Sequence, residues 1–245
     1  MASVETKAVL LVGGLGTRLR SLVPSSPKAL APVGDRPFVE LLVRQLRSQG
    51  IRDLVMCTGY LADQIEEEFG DGSKLGVKIE YSRESHPLGT GGAVKLAEKV
   101  LQGLSDFLVM NGDSFLEIDF HELTRLHRAR KAIATIAVAH VNDAGRYGTI
   151  ITDANDMVVE FREKTGNHLP GLVNAGVYVF NPSVLGHIPT GEVSLEKNIF
   201  PSLLDKGVYA VKQSGTFIDI GTPADYLRAP QILDLSTRER SGSKP

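Results

Sequence analysis

Apolar residues first gather in short unbroken runs. Val9, Leu10, Leu11 and Val12 form one that ends in glycines, which predicts a buried strand feeding a loop. Phe38, Leu41, Leu42 and Leu46 recur at helical spacing, so a helix is expected over 37–49, closed by Gly50. Strands follow over 53–57, 77–81, 107–110 and 133–139, with helices expected over 62–69, 92–101 and 120–131. Strands alternating with helices predict an α/β fold with a Rossmann-like, doubly wound, mainly parallel mixed sheet.

The rhythm changes after about residue 145. Alternating residues over 147–152 and 157–161 surround Asp153, Ala154, Asn155 and Asp156, a hairpin signal. A strand over 173–180, helices over 182–188 and 196–206, strands over 208–212 and 217–220, and a last helix from Pro223 complete the chain. No repeat or linker divides it, so one domain over 1–235 is expected. A nucleotide-binding half, 1–145, would share its sheet with a smaller α+β half, 146–235, before a frayed tail, 236–245.

The composition of the 245 residues, 42% hydrophobic and 23% charged, is that of a soluble globular chain. A net charge of -2 gives no support to nucleic-acid binding by bulk charge. One cysteine excludes an internal disulfide, and Cys57 in its apolar strand reads as a core residue. No run is long enough for a membrane span, and the start lacks signal-peptide features, so the cytoplasm is the expected location. The histidines, His121 and His127 among them, lack the spacing of a helical zinc pair and read as solvated. Glu66, Glu67 and Glu68 read as an exposed helix face.

The chemistry begins with Gly13-Gly14-Leu15-Gly16-Thr17-Arg18. Glycines after a strand let backbone N–H groups wrap a phosphate. No Gly-Lys-Ser/Thr exists, so this is no Walker A loop, and Leu19 stands where a dinucleotide fold needs its third glycine. Arg18 or Lys28 alone would read as a solvated charge. Together beside a glycine loop, with Lys28 between Pro27 and Pro32, they suit a polyphosphate.

Gly13-Gly14-x-Gly16-Thr17-Arg18-Leu19 followed by Pro27-Lys28 resembles the signature of sugar-phosphate nucleotidyltransferases. The likeness runs on through Gly59-Tyr60, Gly89-Thr90-Gly91-Gly92, Asn111-Gly112-Asp113, Tyr147-Gly148, Glu163-Lys164, Asn174-Ala175-Gly176 and Asp219-x-Gly221-Thr222-Pro223, from residue 7 to about 230. It implies the glycosyltransferase-A-like nucleotidyltransferase fold, and a reaction in which a sugar 1-phosphate attacks the α-phosphorus of a nucleoside triphosphate and pyrophosphate leaves. The nucleophile is already anionic, since a phosphate monoester has a second pKa of about 6. Positioning and charge neutralisation are then needed more than a general base.

The resemblance implies Mg2+ held by Asp113 and Asp219, Arg18 on the β- and γ-phosphates, and Lys28 on the α-phosphate. It implies nucleotide contacts from Leu11, Gly13, Gly14, Gly16, Thr17, Arg18, Lys28, Gly59, Gly89, Thr90, Gly91, Asn111 and Gly112. Lys164 would hold the sugar phosphate and Glu163 the sugar hydroxyls. Tyr147, Gly148, Asn174 and Ala175 would line the sugar pocket, with Gly176 leaving its backbone exposed to it. Phe217 stands where many relatives carry tryptophan.

The Gly-Thr-Gly-Gly form resembles guanylyltransferases, particularly the D-glycero-α-D-manno-heptose 1-phosphate guanylyltransferases. That implies GTP and a heptose 1-phosphate as substrates, in the making of bacterial surface polysaccharide such as capsule or lipopolysaccharide. The short stretch after Asp219 is expected to hold no appended β-helix or acyltransferase domain. A mannose-1-phosphate guanylyltransferase, a compact uridylyltransferase for a hexosamine or muramate 1-phosphate, and a silent nucleotide-sugar-binding homologue stay open. Neither nucleic acid nor membrane is an expected partner, and enzymes of this size commonly form homo-oligomers.

Overall fold

The computed structural model describes residues 6–162, 166 and 168–233. Its strands are β1 (Lys7–Leu11), β2 (Pro32–Val33), β3 (Arg36–Pro37), β4 (Asp53–Thr58), β5 (Lys78–Arg83), β6 (Phe107–Asn111), β7 (Ser114–Leu116), β8 (Ala134–Val141), β9 (Thr149–Thr152), β10 (Val158–Arg162), β11 (Gly171–Phe180), β12 (Val208–Gln213) and β13 (Phe217–Asp219). The α-helices are α1 (Phe38–Ser48), α2 (Ala62–Phe69), α3 (Gly89–Leu96), α4 (Glu98–Leu101), α5 (Phe120–Ala129), α6 (Phe200–Ser202) and α7 (Pro223–Ile232).

Nine strands form the central sheet, with β10-β9-β11-β6-β1-β4-β5 in order and β8 joining β11 to β12. β6, β1, β4 and β5 run parallel, whereas β11 is antiparallel to β6 and continues the sheet into the second half of the chain. The architecture is the expected α/β mixed sheet. Alternate residues of its parallel strands face opposite layers. Ala8, Leu10, Leu108 and Met110 pack with Phe38, Leu42 and Leu46 of α1 and with Phe120 and Leu123 of α5. Val9, Phe107 and Val109 pack with Val94, Leu101, Leu195, Ile199 and Phe200 on the other side.

Several local expectations are corrected. The helix expected over 196–206 is a π turn, Leu195–Ile199, followed by α6 and a 3-10 turn, because Pro201 has no N–H to continue the ladder. The segment Pro182–His187 is likewise 3-10. The helix expected over 92–101 starts earlier, at Gly89, and breaks at Ala97. β13 leaves the main sheet and pairs with β7, a strand the pattern did not reveal.

His127 is not solvated. It is buried on α5, with Nδ1 2.9 Å from Thr135 Oγ1 and Nε2 3.4 Å from Asp106. The other five histidines are exposed and Cys57 is buried, both as expected. Glu67 and Glu68 face solvent, but Glu66 is half-buried and accepts a hydrogen bond from Thr58. The tail lies outside the described residues. Among the described residues no helix is long and apolar enough to cross a membrane.

Candidate active site

β1 lies between β4 and β6, with Leu11 opposite both Cys57 and Asn111. The chain crosses to one side of β1 after the first strand and returns to the other side for β6, so their carboxyl ends flank a topological switch point. Val12 N–H donates to Cys57 O at 3.0 Å and Gly112 N–H donates to Leu11 O at 3.0 Å, which holds the two exit loops side by side. Between them opens a cleft of about 440 Å3. Of the expected nucleotide contacts, it is lined by Leu11, Gly13, Gly14, Gly16, Thr17, Arg18, Lys28, Gly89, Thr90, Asn111 and Gly112, and also by Asp113 and Gly221.

Gly16 takes φ 56, and a Cβ there would fall 2.8 Å from Lys28 Cβ. Only glycine lets the two segments meet so closely. The turn Thr17–Leu19 then buries Leu19 and leaves Thr17 and Arg18 exposed at the mouth. Pro27 leads into a second 3-10 turn, Lys28–Leu30, anchored by buried Ala29. Lys28 Nζ donates to Asp113 Oδ2 at 2.6 Å, with only 12% of the lysine side chain exposed.

Asp219 arrives from the far end of the sequence. β13 pairs antiparallel with β7, Asp219 opposite Ser114, and Ile220 N–H donates to Asp113 O at 2.9 Å. Gly221 N–H donates to Asp219 Oδ1, which holds that carboxylate in place. Burial and the Asp113 charge push the Asp219 carboxyl above its ordinary range, against the opposing pull of Lys28 and Arg18. Two carboxylates close enough for the charge of Asp113 to be felt at Asp219 are a donor set suited to a hard divalent cation such as Mg2+. Among the described residues no cluster of three His, Cys, Asp or Glu exists. The protein would thus supply two ligands, leaving the remainder to phosphate oxygens and water.

Two expected nucleotide contacts do not line the cleft. Gly91 is buried beneath Val193 and its N–H donates to Val193 O at 2.9 Å. Gly59 backs onto Glu84, whose carboxylate a Cβ on Gly59 would meet at 2.6 Å. Glu84 itself lines the cleft, and Leu88 N–H donates to its Oε2 at 3.2 Å. Burial raises its carboxyl above the ordinary range. Sequence reasoning missed Glu84, although an acid directly after a strand and before Pro87-Leu88-Gly89 was a readable signal.

Of the residues expected at the sugar, Tyr147 is half-buried against Phe217, with ring centroids 6.0 Å apart, and Gly148 is exposed. Asn174 Nδ2 donates to Tyr178 Oη at 2.9 Å. Ala175 is buried in the core, and its carbonyl accepts from Ser114 Oγ at 3.1 Å. Gly176 does not present its backbone as expected. It is buried in a bulge of β11 at φ 74, where a Cβ would fall 2.4 Å from Ser114 Oγ. Glu163 and Lys164 lie outside the described residues.

Residues 7–234 match the family described as nucleotidyl transferase. The chain belongs to the nucleotidyl transferase family. It is 41% identical over 238 residues to the mannose-1-phosphate guanylyltransferase of Mycobacterium tuberculosis, covering 95% of this chain and 66% of that protein. It is 36% identical over 225 residues to the D-glycero-alpha-D-manno-heptose 1-phosphate guanylyltransferase of Campylobacter jejuni, covering 90% of this chain and 96% of that one. The crystal structure of HddC from Yersinia pseudotuberculosis complexed with GMP-PN shares the fold at a TM-score of 0.81 and 31% identity, over 93% of this chain and 99% of that chain. As a nucleotidyl transferase, the chain thus spans about two thirds of the mannose-1-phosphate relative and nearly the whole of the heptose relative.

Proposed function

We propose that this protein is a sugar-1-phosphate guanylyltransferase, joining GTP and a sugar 1-phosphate into a GDP-sugar and pyrophosphate. The observation that carries the reading is the convergence of Arg18, Lys28, Asp113 and Asp219 at one mouth of a glycine-walled cleft. A phosphate oxygen of the sugar 1-phosphate forms a bond to the α-phosphorus of GTP. The bond from that phosphorus to the bridging oxygen of the β-phosphate breaks, and pyrophosphate leaves with the electron pair. Lys28 neutralises charge at the α-phosphate and Arg18 at the departing pyrophosphate. Asp113 and Asp219 would hold Mg2+, which supplies further charge neutralisation when bound. Lys164 would hold the phosphate of the sugar 1-phosphate and Glu163 the sugar hydroxyls, a reading that the family likeness supports.

Glu84 supports guanine. The N1–H and N2–H2 groups of guanine present adjacent donors, which a carboxylate can accept together. Uracil offers one donor on that edge and adenine an acceptor at N1. The GMP-PN complex of HddC supports the same base.

For the sugar we propose D-glycero-α-D-manno-heptose 1-phosphate, supported by the Campylobacter jejuni likeness, and a cytoplasmic role in supplying bacterial surface polysaccharide. Mannose 1-phosphate is the second reading, favoured by the Mycobacterium tuberculosis likeness. The two share their ring from C1 to C5, so the pocket must distinguish them beyond C6. The test is Mg2+-dependent pyrophosphate release with GTP, ATP, UTP, CTP and dTTP against heptose, mannose, glucose, N-acetylglucosamine and N-acetylmuramate 1-phosphates. Preference for GTP with the heptose phosphate supports the full reading. Turnover with UTP and an amino sugar refutes base and sugar, and no release from any pair refutes the activity.

A further inference from the structure

A second set of polar residues joins the two halves of the cleft, reaching from Thr90 and Asn111 in its lining to groups buried behind it. Residues 191–196 come from the second half of the chain and lie against the start of α3 in the first. Val193 N–H donates to Leu88 O at 2.8 Å, and Gly91 N–H donates back to Val193 O. At the end of this segment is Glu196, half-buried. Its Oε2 accepts from Thr90 Oγ1 at 2.7 Å and from Ser194 Oγ at 2.9 Å, and its Oε1 accepts from Tyr178 Oη at 3.2 Å.

An ionised carboxylate can only accept, so it dictates the sense of every hydrogen bond around it. Thr90 must donate to Glu196, which leaves its oxygen to accept from Leu195 N–H at 2.8 Å. Tyr178, wholly buried, must also donate to Glu196, so its oxygen is free only to accept. It does so from Asn174 Nδ2, and Asn174 Oδ1 in turn accepts from Gly176 N–H at 2.9 Å. The Asn174 amide therefore has one orientation, with its second N–H unused among the described residues.

Asn111 supplies the complement. Its Oδ1 is buried and has no hydrogen-bond partner among the described residues, and its side chain lies against Gly176. Both side chains touch Gly176, Asn174 through its Oδ1 and Asn111 through its Cβ and Nδ2, and between them they keep one spare donor and one spare acceptor, the pair that a hydroxyl group would satisfy.

We infer that Glu196 is a positioning residue, which orients Asn174 for a sugar hydroxyl through Tyr178 and ties that orientation to Thr90 on the nucleotide wall. The inference rests on the sugar-1-phosphate reading of the cleft. Glu196 touches neither substrate in this role. Its replacement by glutamine keeps the shape but introduces an N–H2 among donors, so either Thr90 or Tyr178 must reverse, and reversal of Tyr178 turns the Asn174 amide over.

The test compares the unaltered protein with E196Q and E196D in pyrophosphate release, using GTP with heptose or mannose 1-phosphate. In E196Q the KM for the sugar phosphate should rise roughly tenfold, the effect of one mismatched buried hydrogen bond, with the KM for GTP within about twofold. E196D, which restores an acceptor-only group, should bring the sugar KM back toward its original value. Equal rises in both KM values, or an unchanged sugar KM in E196Q, would overturn the role. If the unaltered protein has no turnover with any pair, the activity reading fails separately. The positioning role is then decided by NMR of the Asn174 side-chain amide, identified by its loss in N174D. That signal should move in E196Q and return in E196D, and an unmoved signal overturns the inference.

Discussion

Lys28 Nζ sits 2.6 Å from Asp113 Oδ2, so the proposed α-phosphate cation and the proposed metal ligand neutralise one another before any substrate arrives. The pair is partly sheltered, with 12% and 41% of the side chains exposed. Removing one partner therefore leaves a charge in a half-desolvated position, costlier than on an open surface.

The first prediction concerns that pair. Asp113→Asn keeps a hydrogen-bond acceptor for Lys28 but removes the charge from the proposed Mg2+ set. Turnover should fall roughly a hundredfold or more, with an unchanged circular dichroism spectrum. Near-normal turnover would refute the metal assignment.

Glu84→Gln tests the base. Glutamine offers one acceptor and one donor where guanine presents donors alone, so kcat/KM for GTP should fall roughly 10- to 150-fold. The KM for the sugar phosphate should be unmoved. Full retention of GTP preference over UTP would remove Glu84 from base recognition.

His127 makes stability depend on pH. Burial lowers its proton affinity below the ordinary histidine value of 6.5, and this outweighs the opposing pull of Asp106. The unfolded chain then binds the proton more readily than the folded one. The His127 contribution is fully present above about pH 6.5 and is lost as pH falls from there toward the lower folded value, by at most about 1.4 kcal/mol per pH unit. Thermal melts from pH 8 to 5 should show a shallower decline for His127→Gln than for the unaltered protein. Parallel curves would exclude His127 as the source.

Gly176→Ala should destabilise the β11 bulge. The new methyl would sit at φ 74 and 2.4 Å from Ser114 Oγ, so the cost includes both the left-handed backbone and the loss of the Ser114 bond to Ala175. About 2 kcal/mol is expected, lowering Tm by roughly 5 °C at this chain length. An unchanged Tm would mean that the bulge rearranges freely.

The parallel core was legible because its strands are continuous apolar runs: Val9, Leu10 and Leu11 could hardly be anything but a buried strand, and Asn111-Gly112-Asp113 marked where the next one ended. The glycine loop, Lys28 and Asp113 were legible for the same reason, being local motifs at strand ends. β7 was hidden because three residues, Ser114, Phe115 and Leu116, carry too little alternation to register, and their partner Phe217 is a hundred positions away in the chain. His127 misled because a histidine in a helix rich in charged residues reads as solvated, while the partners that bury it, Asp106 and Thr135, come from outside the helix. Glu84 carried a signal only in its place, after a strand and before Pro87-Leu88-Gly89, and Glu196 looks like an ordinary surface acid in sequence. Only packing brings the first beside Gly59 and the second beneath Thr90.

β11 enters the sheet between β6 and the elements that precede it in sequence, which has a consequence for biosynthesis. As the chain leaves the ribosome, β6 waits about sixty residues for the strand that covers its outer edge, and an unpaired edge invites pairing with other chains. The cleft waits longer still, because Asp219 and Gly221 reach it only when nearly all of the described residues have been made. A nascent chain thus has no complete site to hold nucleotide, and ligand can stabilise the fold only after synthesis of the wall that β13 provides. Severing the first half from the second would yield a glycine loop on an open-edged sheet.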